Sequence, residues 1–189
     1  YNDSVEKNCR HIGVATLPFI CNFTSAEDFE SEWTVISANS GNNSWQFGDG
    51  WEGPDGQMGA VSCPTWAGNC NDYLITPPIH LDKGNNYITF YTKGITADSE
   101  EMLDVRYGKD TNAEEMEIIG DYTFKNSEFR MNVINFEVAE SGTYYFAFHA
   151  KSVAGTNLIL DDITIDAGVF DVSAKLLIEK VLLPYSCLL

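Results

Sequence analysis

Gly142-Thr-Tyr-Tyr-Phe-Ala-Phe-His149 is the stretch that sets the fold class. Tyr144, Phe146 and Phe148 take alternate positions, with Thr143, Tyr145 and Ala147 between them. That is the two-residue period of a strand whose one face meets a core. The period recurs upstream and downstream. Ile88 and Phe90 share a side of Tyr87–Thr92; Leu103, Val105 and Tyr107 share a side of Met102–Tyr107; Ile134, Phe136 and Val138 share a side of Val133–Val138. Asn157 to Asp166 is rich in Leu and Ile. Turn formers bound these runs: Lys83-Gly-Asn-Asn86, Glu140-Ser-Gly142 and Ala154-Gly-Thr156. Helical spacing shows only at Ser25 to Glu32, where Ser25 can cap a turn that Asp28 fills. Short strands about 8–12 residues apart predict an all-β, antiparallel two-sheet sandwich. Its expected core holds Phe90, Leu103, Val105, Ile134, Phe136, Tyr144, Phe146, Phe148, Ile163 and Ile165.

Composition agrees with one packed domain. The chain has 189 residues, 44% apolar and 13% aromatic, which excludes disorder. No apolar run reaches the ~18 residues a membrane span needs. No apolar stretch follows a basic start, so any signal peptide is expected to lie outside this chain. Net charge is −17. Without clustered Lys and Arg there is little counterion release, which argues against nucleic acid as a partner and equally against an anionic membrane surface.

The charge is uneven. Residues 11 to 82 contain no Lys or Arg but nine acids: Glu27, Asp28, Glu30, Glu32, Asp49, Glu52, Asp55, Asp72 and Asp82. Two readings stand: a solvated acidic face, or sites for a hard cation such as Ca²⁺, which takes carboxylate and carbonyl oxygens. All four tryptophans (Trp33, Trp45, Trp51 and Trp66) lie in the same half. Trp33 and Trp45, in or beside strands, are expected in the core. Trp51 and Trp66 sit in a Gly-rich stretch, from about Ala38 to Asn71, that reads as one long irregular loop. Exposed indoles there can stack on sugar rings.

Leu158-Ile-Leu-Asp-Asp-Ile-Thr-Ile165 sets two acids inside an apolar strand. On a regular strand Asp161 shares a face with Ile159, Ile163 and Ile165, and Asp162 with Leu158 and Leu160. Either way one carboxylate meets the core side, where it must accept hydrogen bonds, meet a cation or lie at the rim. Asp161 is the stronger candidate ligand, because its row is the more continuous.

The five cysteines (Cys9, Cys21, Cys63, Cys70 and Cys187) form no Cys-x-x-Cys pair, which argues against a zinc ribbon. Cys63 and Cys70 flank a short loop and can close it as a disulfide; a reducing habitat would leave them as thiols. No catalytic signature is present: no Gly-x-Ser-x-Gly, no His-Glu-x-x-His and no phosphate loop. His11, His80 and His149 lie in separate segments, and His149 is expected as an exposed sheet residue.

Several pieces, in order, resemble the cleaved-adhesin or choice-of-anchor J domain of gingipain-type surface proteins. They are Leu17-Pro-Phe-Ile-Cys-Asn-Phe23, Phe29-Glu-Ser-Glu-Trp-Thr-Val35, Asn39-Ser-Gly-Asn-Asn-Ser-Trp45, Asp72-Tyr-Leu-Ile-Thr-Pro-Pro-Ile79, Gly142–His149 and Leu160-Asp-Asp-Ile-Thr-Ile165. The resemblance covers about residues 15 to 166. It implies a jelly-roll sandwich akin to MAM domains and carbohydrate-binding modules, with structural Ca²⁺. Carried over to this chain, the ion's ligands are Asn22 and Asp161 or Asp162. Asn22 stands where the family has an acid, which weakens the site. Asn and Ser at 37–43 argue against a second ion there.

The expected organisation is a lead-in at 1–14, the jelly roll at 15–166, and at 167–189 either the start of an Ig-like repeat or an added edge strand. The expected function is that of a non-catalytic module in a secreted or surface-anchored bacterial protein. It would bind glycan or a host surface glycoprotein through Trp51 and Trp66, beside neighbouring domains of the same polypeptide. The alternative is a structural or protein-interaction spacer.

Overall fold

The computed structural model describes residues 13–38, 44–66 and 70–171. Expectations that rest on Cys9, His11, Cys187, the loop at 39–43 and residues 172–189 lie outside these. Twelve strands and one helix are described: β1 Phe19–Cys21, α1 Ala26–Glu32, β2 Thr34–Ser37, β3 Gln46–Glu52, β4 Met58–Cys63, β5 Asp72–Ile75, β6 Ile79–Leu81, β7 Gly84–Gly94, β8 Glu101–Gly108, β9 Glu117–Phe124, β10 Arg130–Val138, β11 Gly142–Ala150 and β12 Leu158–Ala167.

They form two antiparallel sheets. One runs β10-β7-β12-β4-β3, with β1 also on β12; the other runs β2-β5-β11-β8-β9, with β6 also on β11. The order is non-sequential, as in a jelly roll, and every inter-strand pairing is antiparallel. Alternate residues of the inner faces make one core, as the two-residue period predicts. Phe90, Phe146, Phe148, Leu103, Val105, Ile163 and Ile165 are wholly buried, Ile134 and Tyr144 nearly so, and Phe136 packs half-buried against them. Phe90 meets Phe148 edge-on at 5.4 Å, which ties the two sheets through their centre.

The helix is the one expected. Ser25 accepts the Asp28 N–H through its hydroxyl, and Glu27 and Asp28 place negative charge at the helix start. Phe29 turns inward and packs on Phe23, which also meets Trp33.

The stretch from Ala38 to Asn71 is not one irregular loop: β3 and β4 run through it as a hairpin. Glycine hides the alternation that marks a strand. Gly48 leaves room for the Trp51 indole, which lies where a Cβ would be. Gly59 has φ +117°, and a Cβ there would strike the Phe23 carbonyl. At the other end β12 continues to Ala167; beyond it the Phe170 N–H and C=O are both bonded to the Asn135 side chain.

Candidate functional site

The acid pair of β12 sits where that strand changes neighbours. Leu158–Leu160 pair with β4, and Ile163–Ile165 pair with β1, so the opening and closing strands are adjacent, with Cys21 opposite Ile163. Between the two pairings β12 bulges against β7, and Asp162 takes φ +48°, a left-handed conformation that costs energy for a non-glycine residue. The bulge corrects the expected strand phase. Leu158 and Leu160 join the core before it, and Ile163 and Ile165 after it. Asp161 therefore shares a face with Ile159 alone, on the side away from the main core.

Asp161 is nonetheless only 1% exposed. Its Oδ1 accepts the Asp162 N–H at 2.8 Å. Its Oδ2 lies against Gly53, where a Cβ would overlap it, and Asp55 Oδ1 is 3.2 Å from that same point. The Asp55 side chain is fixed by accepting the Gln57 N–H. Burial, then the charges of Asp162 and Asp55, push the Asp161 carboxyl from 3.8 up to about 7. Burial and Asp55 also raise Asp162. Asp55 is a site residue that sequence reading passed over among nine acids; the hairpin turn that delivers it was itself hidden by glycine.

The other expected residues are dispersed. Asn22 is exposed and lines a hollow with Thr24, Ser25, Asp28 and Glu32. Trp51 is half-buried over Gly48, whereas Trp66 is 66% exposed. Trp33 and Trp45 are core, as expected, and the Trp45 indole N–H donates to the Asp72 carbonyl at 3.1 Å. A groove of about 290 Å³ lies on the outer face of the first sheet. Tyr87, Thr89, Tyr91, Asp162, Thr164 and Phe170 line it. Its signal, Tyr-x-x-x-Tyr on the polar face of β7, reads in sequence as ordinary strand alternation.

Two further buried carboxylates are satisfied within the protein. Glu101 accepts from the Thr65 and Ser152 hydroxyls and from the Thr156 and Asn157 N–H groups. Asp104 accepts both Nε and a terminal nitrogen of Arg106, and lies 3.0 Å from His149 Nδ1. Burial works to raise Asp104, but the bonds from His149 and Arg106 outweigh it and hold the carboxyl well below the usual range. His149 is buried, not exposed. Tyr73 stacks on its ring at 4.1 Å, and Asn71 Oδ1 is 2.7 Å from Nε2.

The chain is thus an antiparallel two-sheet jelly roll with an acid pair where its first and last described strands meet. No family model matches the sequence, and no curated protein is significantly similar to it. Solved structures do match. The K1 cleaved adhesin domain of Lys-gingipain from Porphyromonas gingivalis superposes with TM-score 0.60 at 22% identity, over 72% of this chain and 91% of that one. The K2 cleaved adhesin domain of Lys-gingipain gives 0.62 at 18%, over 78% and 98%. TmCBM61, solved in complex with β-1,4-galactotriose, gives 0.55 at 14%, over 78% and 99%. The chain thus has the fold of cleaved adhesin domains and of carbohydrate-binding modules, as the motifs between Leu17 and Ile165 led one to expect.

Proposed function

We propose that the chain is a non-catalytic binding module of a secreted or surface-anchored bacterial protein, and that it recognises glycan, free or on a host glycoprotein. The observation that carries this reading is Trp66, a large indole 66% exposed at the end of the strand-to-loop segment after β4. An exposed apolar ring of that size costs solvation free energy unless it has a partner, and a sugar's C–H face is a fitting one. Trp51 stands second, because Gly48 already covers part of its ring. That packing is also what favours the alternative, a structural spacer between neighbouring domains.

Calcium belongs to the same proposal. The donor set fits a hard cation: Asp161 is buried, is flanked by Asp55 and Asp162, and faces a glycine that leaves its Oδ2 uncovered by any β-carbon. Asp161, with Asp55 or Asp162, would supply the carboxylate oxygens, and Asn22, just past β1 and facing a separate hollow, would have to turn toward them to add a weaker neutral donor. Bound there, the ion would neutralise the acids and fix the bulge; it would do no chemistry. The reading is tested by titrating the chain with xylo- and galacto-oligosaccharides, with calcium and with chelator, while following tryptophan fluorescence. Saturable quenching that Trp66→Ala removes supports it. A flat response to every sugar, with a normal far-ultraviolet spectrum, sinks it in favour of the spacer.

A further inference from the structure

Cys63 ends β4 in the first sheet, and Asp72 opens β5 in the second, with Cys70 two residues ahead of it. Their side chains meet in the interior. The two sulfurs are 3.3 Å apart, and Cys70 Sγ is 3.0 Å from Asp72 Oδ2. Among the described residues this is the one group of three His, Cys, Asp or Glu side chains whose ligand atoms all lie within 4.8 Å of one another. We propose that Cys63, Cys70 and Asp72 form a site for a thiophilic divalent cation of the zinc class, separate from the calcium site, which clasps the two sheets where the chain crosses between them.

The argument starts from Asp72. Its residue is 1% exposed, and its Oδ1 is buried with no hydrogen-bond partner among the described residues. Its backbone carbonyl is already engaged by Trp45. An orphaned buried acceptor is costly, more so on a carboxylate. Glu101, equally buried, shows how this chain satisfies such a group without a cation, by surrounding it with donors. Asp72 has no such shell.

A Cys63–Cys70 disulfide would worsen the problem. The Cys70 S–H is the donor to Asp72 Oδ2, and oxidation removes it. Both carboxylate oxygens would then lie buried without that donor. A cation instead takes both sulfurs and the carboxylate. Two thiolates and one carboxylate suit zinc, whereas calcium takes oxygen alone. Tetrahedral zinc with bonds of about 2.3 Å holds its sulfurs about 3.8 Å apart, so the pair needs to open by only about 0.5 Å. Binding breaks two S–H bonds and forms two metal–sulfur bonds. Both protons leave to solvent, and no oxidation state changes. Water completes the fourth position.

The test uses the full chain, stripped of metal and kept reduced with a phosphine, titrated with Co²⁺ and then Zn²⁺. A thiolate-to-cobalt charge-transfer band saturating at one equivalent, bleached by Zn²⁺, is expected. Zn²⁺ should also protect both thiols from alkylation. The Cys63→Ser/Cys70→Ser double variant should show no band. Asp72→Asn should keep the band but bind about tenfold or more weakly. Asp161→Asn, at the other site, should bind cobalt as the wild type does. The proposal is overturned if folded, reduced wild-type protein shows no band, if Zn²⁺ leaves Cys63 and Cys70 open to alkylation, or if Asp72→Asn binds as tightly as the wild type.

Discussion

Replacing Asp161 by Asn separates a carboxylate kept for an ion from one kept for its hydrogen bond. Asparagine has nearly the same shape, and its amide oxygen can still accept the Asp162 N–H. What it removes is the charge. The folded carboxyl is raised from 3.8 to about 7, chiefly by burial. Each decade is worth 1.36 kcal/mol, so three decades come to about 4 kcal/mol. The sign follows from linkage. The folded value lies above the unfolded one, so the protonated acid carries no penalty below pH 3.8. Stability then falls as pH rises, and above about 7 the ion-free fold bears the whole cost. In chelator at about pH 8, Asp161→Asn should therefore unfold with a free energy up to about 4 kcal/mol higher than wild type. At about pH 4 the two should nearly coincide. Calcium should close most of that gap, because it stabilises the wild type by about 2.7 kcal/mol at a hundredfold excess over Kd and the variant by nothing. Urea denaturation at the two pH values, with chelator and with calcium, measures all four quantities. A variant less stable than wild type in chelator at the higher pH, or one that keeps the calcium shift, would refute the reasoning.

Phe146→Ala should cost about 3–5 kcal/mol in equilibrium denaturation, since the ring is wholly buried between the sheets; a loss below about 1 kcal/mol would contradict its place there. Asp104 behaves oppositely to Asp161. Its folded value is depressed, so its contribution is present above the ordinary carboxyl value and drains away as pH falls below it. Asp104→Asn should flatten acid denaturation in that range, and an unchanged profile would remove Asp104 from the account of acid stability. Gly53→Ala puts a methyl group onto Asp161 Oδ2, so it should abolish the calcium-dependent rise in melting temperature while leaving the far-ultraviolet spectrum unchanged. A variant that still responds to calcium would place the ion elsewhere.

The parts of the fold that sequence reveals are those where one period governs a whole element. β7, β8, β10 and β11 alternate on the face that meets the main core, so the core residues they contribute follow from spacing alone. Ser25 and Asp28 likewise announce α1, because a cap is a local interaction three residues long. Two features escape for physical reasons. In β3 and β4 the glycines at 48, 50 and 59 carry no side chain to alternate; Gly48 admits Trp51, and Gly59 admits the Phe23 carbonyl. In β12 the period is broken by a bulge, and no residue type near Asp161 forces it. It arises because β4 stops and β1 begins as neighbour at that point. A regular strand would put Asp161 in the row of Ile163, whereas it is buried beside Gly53 and Asp55 on the opposite face. His149 shows a third reason. Its burial depends on Tyr73 stacking from the next strand, a contact 76 positions away in sequence that alternation within β11 does not report.

The claim that this sandwich is a sugar-binding module is tested most directly on a glycan array, probed with the purified chain in calcium alongside Trp66→Ala and Tyr87→Ala. Retention of the wild type on a defined set of glycans, with loss of signal in Trp66→Ala and near-normal signal in Tyr87→Ala, is the expected result. If no glycan retains the wild type, the claim is contradicted. If Tyr87→Ala loses binding while Trp66→Ala keeps it, the sugar sits in the sheet groove and not at the loop tryptophan.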